Sequence, residues 1–490
     1  MENTITEPRA EFERRGSLLG HPRGLYILAG TEMWERLSFY GLQALVAYFV
    51  YYSASNGGLG LPSSVALGIT GAYGGAVYLL QPVGAWIADR VLAARYVVLL
   101  GGIVILAGHL ALAFLEGLEG LLAGLGLIVL GTGLLTPSIY AMVGALYKSR
   151  SKDLDGAFSI FYGSILIGAF IGPLVMGLLQ TRIGFHVAFS FAAIGMGVGL
   201  IVYVAGWKLL PETANIVPNP VKMRTKLLYL GGAVAVLIVV IIFVGSSVIT
   251  FTNINTVVLM LIGVATIACF ASILTAKANS PRERKMVISY IPVFLAGVVF
   301  EMLFLSIFTT LAVYADTRID LQVGGFEVPP SYISSFEVLA GIAIVIVSAV
   351  IWKRMGSRQP SSMSKLIGGL VAISCSYVIL ALLPLWHDGQ VSILPVMFAM
   401  AIFALGEVTF TPMAMSLASQ SAPQAHQAQM MAIYSLSMAA GASLSGAISQ
   451  FYSAENEGLF FGLNAAVGVV AALLLVGFYR FVNNRIKSAA

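Results

Sequence analysis

Two carboxylates and a guanidinium fall within five residues, Glu32-Met-Trp-Glu35-Arg36. At helical spacing Glu32 and Glu35 lie one turn apart and Arg36 follows Glu32 by four residues, so one helix face carries two acids and one base. Such a set can handle a proton, because two close carboxylates are hard to ionise together and one holds a proton unless Arg36 pairs with it. The same set also suits a structural ion pair that locks two helices together.

The element that must position these groups is itself constrained. From Leu25 to Tyr51 the residues are nearly all apolar or aromatic, long enough to span a bilayer with some tilt. A charge left facing hydrocarbon there costs about 2.5 to 3.5 kcal/mol on the mildest insertion scale, so the charged face must point at a polar cavity or at partners inside a helix bundle.

The rest of the chain has the same character. Of 490 residues 58% are hydrophobic and only 10% charged, with a mean hydropathy of +0.91, which describes a polytopic membrane protein and excludes a soluble multidomain one. Apolar runs predict fourteen spans: Leu25–Tyr52, Ser64–Ile87, Tyr96–Leu115, Leu121–Leu146, Phe158–Leu179, Val187–Leu209, Leu227–Val244, Val257–Ala276, Ile291–Val313, Tyr332–Trp352, Leu366–Leu385, Ile393–Leu417, Met430–Phe451 and Leu459–Phe481. Arg90 and Arg95; Lys148, Arg150 and Lys152; Lys222, Arg224 and Lys226; Arg282, Arg284 and Lys285; Lys353, Arg354 and Arg358; and Arg485 with Lys487 fall in alternate loops or at an end. That alternation places both termini in the cytoplasm, and the net charge of +5 is a topology signal rather than a sign of nucleic-acid binding. The first 21 residues lack the apolar core of a cleavable signal peptide. Cys269 and Cys375 sit in apolar runs, which makes a disulfide framework an unsuitable reading.

Glu32-x-x-Glu35-Arg36-Leu37-x-Phe39-Tyr40-Gly41 resembles the E-x-x-E-R-F-x-Y-Y-G signature of the proton-dependent oligopeptide transporters, within the major facilitator superfamily; Leu37 and Phe39 depart from it. The resemblance extends along nearly the whole chain. It implies an all-α membrane protein with the major facilitator fold: a tail at 1–21, a six-helix bundle at 22–210, a linker and inserted transmembrane hairpin at 211–285, a second six-helix bundle at 286–482 and a tail at 483–490. Gly84-Ala-Trp-Ile-Ala-Asp89-Arg90 resembles the superfamily's cytoplasmic loop motif, where Asp89 can pair with basic groups or cap a helix and so favour one conformation. An ordinary solvated charge pair is the plainer alternative. Leu135-Thr136-Pro137 and Phe410-Thr411-Pro412 place a Thr-Pro step in each half; paired proline interruptions in related repeats point to a substrate cavity.

The resemblance also assigns site residues. Gly406-Glu407-x-x-x-x-Pro412 matches the family's tenth core span, where the acid handles the amino end of a peptide. Glu301 and Glu337 are the other intramembrane acids, each a functional-site candidate by default. Glu301 stands where an aromatic is usual and Glu337 where an Asn is expected, while Leu305-Ser306 replaces a Glu-Gln pair. Helix packing is as good a role for Glu301 as a cavity role. Gln43 stands for the cavity arginine, Thr136 for a lysine and Leu166 for an Asn, so the electropositive clamp for a peptide carboxylate is largely missing. Tyr40 and Tyr78 remain as hydroxyl-bearing wall residues or simple aromatic packing. His109 reads better as a packed histidine than as a functional one.

These readings define a secondary transporter rather than an enzyme: no metal-ligand spacing, nucleophile elbow or phosphate loop is present, and no cofactor is expected. Proton coupling is assigned to Glu32, Glu35, Arg36 and Glu407, substrate contact to Tyr40, Gln43, Tyr78, Thr136, Glu301, Glu337 and Glu407, and conformational roles to Asp89, Arg90, Pro137 and Pro412. The expected partners are protons, a small peptide or peptide-like solute and the lipid bilayer, with the chain a monomer in the inner cell membrane. The acids are expected to look into a wet central chamber. An exporter of cationic or amphipathic compounds and a non-transporting sensor or scaffold are the alternatives.

Overall fold

A computed structural model describes residues 17–487 except 19, 148–153, 278, 387–388 and 424–425; Lys148, Arg150, Lys152 and His387 therefore lie outside the described residues. Its helices, in chain order, are α1 Arg23–Tyr51, α2 Ser63–Arg90, α3 Ala94–Phe114, α4 Gly117–Leu146, α5 Leu154–Arg182, α6 Phe185–Ala205, α7 Met223–Gly245, α8 Ile254–Thr275, α9 Pro281–Phe304, α10 Thr310–Arg318, α11 Tyr332–Met355, α12 Ser362–Leu382, α13 Ile393–Gln420, α14 Gln427–Ser449 and α15 Glu457–Lys487. Each of the fourteen expected spans coincides with a helix, α9 and α10 forming one span around a 3-10 turn at Leu305–Phe308. Twelve of the spans are long and apolar enough to cross a membrane by those criteria alone. The other two are α1, which carries the Glu-Glu-Arg cluster, and α7.

Local chemistry fixes several ends. Pro281 opens α9 behind a capping box in which the Ser280 side chain accepts from Glu283 N and the Glu283 carboxylate accepts from Ser280 N, satisfying donors that a helix start leaves open. The strands are three short pairs. Gln322–Val323 and Phe326–Glu327 form one antiparallel hairpin, whose turn, Gly324-Gly325, has positive φ at both positions, as a tight two-residue hairpin needs.

The chain divides into two compact units, one comprising 1–42 and 80–250, the other 43–79 and 251–490. In the first, α3 packs along α4 and α6, and α5 along α6. Small residues let backbones approach: a Cβ on Gly168 of α5 would lie 2.4 Å from the Met33 carbonyl oxygen, and one on Gly172 2.3 Å from that of Leu37. This small-xxx-small stripe holds α1 on both sides of Arg36.

In the second unit the last part of α1 and the first part of α2 pack with the C-terminal helices. A Cβ on Gly71 would meet Gly446 Cα at 2.6 Å. Tyr48 Oη donates to the Ala312 carbonyl at 3.0 Å, Tyr52 Oη donates to Asp316 Oδ1 at 2.6 Å, and Tyr51 Oη donates to Asp316 Oδ2. Two residues further, Arg318 Nε and Nη2 donate to the two oxygens of Glu457 at 2.8 and 2.7 Å. Glu457 is buried whereas Arg318 is partly exposed.

That geometry sets an expectation. Arg318→Met leaves a buried carboxylate without its partner and lowers stability by about 3 kcal/mol, whereas Arg318→Met with Glu457→Met removes both charges and recovers most of the loss. Thermal unfolding of the purified protein in detergent reads this; equal loss in single and double variants contradicts it.

Candidate functional site

The first cluster belongs to α1 and α4. Arg36 Nε donates to Glu32 Oε1 at 2.9 Å and lies 2.8 Å from Glu35 Oε2, an ion-pair contact whose angle leaves that oxygen without a hydrogen bond. Arg36 Nη2 donates to Thr136 Oγ1 at 2.6 Å, and Thr132 Oγ1 donates to Glu35 Oε1 at 3.3 Å. Glu32 Oε2 has no hydrogen-bond partner among the described residues. The guanidinium also lies 5.2 Å from the centre of the Phe39 ring, within cation–π range.

Glu32 and Glu35 are completely buried and Arg36 nearly so. The expected wet chamber therefore does not reach these two acids in this conformation: the bundle supplies their partners instead. The reason lies in α4, where Thr132, Thr136 and Tyr140 recur every four residues and so share one face. Thr136, expected as a substrate contact, holds Arg36; Thr132 and Tyr140 were not expected at all. Tyr140 stands within electrostatic reach of both Arg36 and Glu32 and is exposed. The i, i+4 hydroxyl stripe was the available signal. Tyr40 is only half-buried and packs edge-on to Phe39 with centroids 5.2 Å apart.

The second cluster belongs to α9, α11 and α13. Glu301 and Glu337 are buried and Glu407 is half-buried. Glu407 lies within electrostatic reach of both others, and its Oε2 is 3.7 Å from the Cβ position of Gly341, one turn beyond Glu337 on α11. Glu301 presses on α14, where a Cβ on Gly441 would sit 2.3 Å from Glu301 Cβ, so its stem is part of a helix contact. Among the described residues none of the three acids joins an ion pair. Gln43 is buried with Oε1 unpartnered, and Tyr78 is buried.

Asp89 neither caps a helix nor relies on its neighbour: Arg90 is 3.8 Å away, both are well exposed, and Asn219 Nδ2 donates to the two Asp89 oxygens at 2.9 and 3.1 Å. Backbone bonds from Asn219 and Val221 and the Lys226 ammonium tie the same linker to residues 89–91. Pro137 and Pro412 lie inside helices that continue on both sides. The broken span is α9–α10. There the Ser306 and Tyr377 hydroxyls share a hydrogen bond, Thr309 Oγ1 bonds Ser445 Oγ at 2.8 Å and Thr310 Oγ1 donates to Ser449 Oγ at 2.5 Å. Neither proline nor glycine marks this break in the sequence; its only sign is the hydroxyl run Ser306, Thr309, Thr310.

A helical membrane chain with acids held inside its bundles, one set around an arginine and one without a base, has the architecture of a transporter rather than of an enzyme. Residues 95–465 match the sequence model of the POT family, PTR2, and the chain belongs to that family. A di-/tripeptide transporter of Lactococcus lactis subsp. cremoris is 35% identical over 477 residues, covering 94% of this chain and 95% of the relative. The crystal structure of a peptide transporter POT in complex with sulfate superposes with a TM-score of 0.92 at 34% identity, covering 98% of this chain and 99% of that one. A POT family transporter crystallised with 5-aminolevulinic acid gives a TM-score of 0.90 at 30% identity over 96% and 98% of the two chains.

Because Thr136 accepts from the buried guanidinium, Thr136→Val is expected to destabilise the protein by about 1 to 3 kcal/mol. Thr136→Ser, which keeps the acceptor, stays within about 1 kcal/mol of the parent. Thermal unfolding in detergent distinguishes the two; equal stability of all three proteins removes the hydroxyl from the account.

Proposed function

We propose that this chain is a proton-coupled symporter of di- and tripeptides or peptide-like solutes, a monomer of the inner cell membrane with cytoplasmic termini, working by alternating access. The family membership and the di-/tripeptide transport named for the Lactococcus relative support the substrate class. The observation that carries the coupling is the arrangement of Glu32 and Glu35 around the single guanidinium of Arg36 in a site closed to solvent.

The chemistry follows from charge. Two carboxylates and one guanidinium leave one uncompensated negative charge in a low-dielectric interior, which a proton neutralises. A proton on either acid leaves Arg36 paired with the other. Loss of that proton restores the competition for the guanidinium, which Thr136 keeps in reach of both. Moving each charge through the membrane potential adds about 2.3 kcal/mol per 100 mV. The hydroxyls of Tyr48, Tyr51 and Tyr52 on Ala312 and Asp316 hold the end of α1 on the non-cytoplasmic side against α10, a contact that access from that side must release.

Substrate recognition differs from the family pattern. Gln43 offers neutral donors, and the Thr136 hydroxyl is already engaged by Arg36, so a substrate carboxylate lacks the charge-assisted bonds worth roughly 1.5 to 3 kcal/mol each. Glu407 supplies an acid for an amino end. Amines and amidated peptides are then preferred over free carboxylates. The base-free acids of the second unit also favour a second reading, export of cationic compounds, which the direction of flux separates from uptake.

Two measurements test these statements. In proteoliposomes an inward proton gradient is expected to drive peptide accumulation with external alkalinisation, and Glu35→Gln to abolish that accumulation; equal uptake with and without a gradient contradicts coupling. An amidated dipeptide is expected to bind about tenfold or more tightly than the same dipeptide with a free carboxylate, and tight carboxylate-dependent binding refutes the altered recognition.

A further inference from the structure

The second unit holds its three intramembrane acids without a single positive side chain at their depth. Its segments 43–79, 286–317, 319–352 and 366–479 contain no Lys or Arg at all. Arg318, at the end of α10, is committed to Glu457 through both carboxylate oxygens. Within the second unit no Lys or Arg therefore stands at the level of Glu301, Glu337 and Glu407, and protons or a ligand ammonium are the candidates to meet them.

The three acids are not equivalent. The Glu301 stem is wedged against Gly441 of α14, which gives it a packing function. Glu407 is half-buried and sits on the face of α13 that meets α11. Glu337 is 3% exposed, yet its Oε1 has no hydrogen-bond partner among the described residues. A buried acceptor left open in this way is costly unless something fills it. The position of Gly341 one helical turn along, 3.7 Å from Glu407 Oε2, sets the Glu337 face of α11 toward Glu407.

We propose that Glu337 is a specificity-determining residue that takes a second ammonium group, so that the transporter prefers substrates carrying two positive charges at the amino end, such as a peptide beginning with lysine. The inference rests on the reading of Glu407 as the acid that receives the substrate's amino group. With the α-ammonium on Glu407, the four-methylene stem of a lysine side chain delivers its ε-ammonium to a neighbouring carboxylate. The open oxygen of Glu337 accepts it. A neutral side chain with the same four-carbon stem keeps the apolar contacts and leaves that oxygen unpaired, which makes the discrimination one of the ammonium group and not of the stem.

The test compares two probes that differ only in the second amine, lysyl-alanine amide and norleucyl-alanine amide, binding to the purified full-length protein by titration calorimetry. The wild type is expected to bind the lysyl peptide about tenfold or more tightly than the norleucyl one. In Glu337→Gln that ratio is expected to fall to about one, and Glu337→Asn, which restores the residue type usual at this position, gives the same result if the glutamine variant is unstable. Equal affinities in the wild type, or a lysyl preference that survives in the Glu337 variants, overturns the assignment. Binding of the norleucyl peptide without a lysyl preference overturns this inference alone, whereas absence of binding by either amide to the wild type overturns it together with the reading of Glu407.

Discussion

A charge inside a membrane protein must be paired, neutralised or exposed to water, and the two units of this chain answer that demand in different ways. In the first, Arg36 serves two buried acids, with Thr136 holding the guanidinium and Thr132 the Glu35 carboxylate. In the second, Glu301, Glu337 and Glu407 share a neighbourhood with no cationic side chain. Removing either partner of a buried pair leaves an uncompensated charge worth several kcal/mol. Both arrangements therefore make the local energy depend on when a cation arrives and leaves, which is the property a coupled transporter requires.

The packing around α1 shows how such a cluster can be both rigid and responsive. Gly168 and Gly172 bring α5 against the carbonyls of Met33 and Leu37, where any larger side chain would overlap the backbone. The helix is thus fixed on the side of its neighbours, while Arg36 stands within ion-pair distance of both Glu32 and Glu35. Elsewhere the contacts are hydroxyl bonds rather than close backbone approaches, as at the tyrosines on Asp316 and the hydroxyl-lined break between α9 and α10.

Much of this was legible in the sequence because the bilayer imposes a length and an apolarity on every span. The fourteen spans, the Glu-Glu-Arg face and the isolated acids of α9, α11 and α13 all follow from periodicity and from the cost of charge in hydrocarbon. What sequence spacing does not carry is partnership across helices. That Thr136 turns to Arg36, that Asp89 is held by Asn219 some 130 residues away, and that Glu32 and Glu35 are closed off from water depend on how α4 and the linker fold back. The break at Leu305–Phe308 escaped for a related reason. Prolines announce a disrupted helix locally, but a helix can also break where a hydroxyl on a neighbouring element satisfies a freed carbonyl, as Tyr377 of α12 does for Leu303, far along the chain.

The replacements and the additions of charge are best understood together. Where the family signature has an arginine and a lysine this chain has Gln43 and Thr136, and where it has an aromatic and an asparagine the chain has Glu301 and Glu337. Loss of the two bases alone would weaken binding of a carboxylate while leaving the rest of recognition unchanged. Gain of two acids in a cavity that kept its bases would be absorbed by new internal salt bridges, leaving nothing for a ligand. In combination the changes leave the acids of the second unit without an ion-pair partner among the described residues, and Glu337 is buried with an unpartnered oxygen. Under the proposed reading the electrostatic demand of these acids is met by positive charge on the substrate, while Glu32, Glu35 and Arg36 form a separate buried cluster.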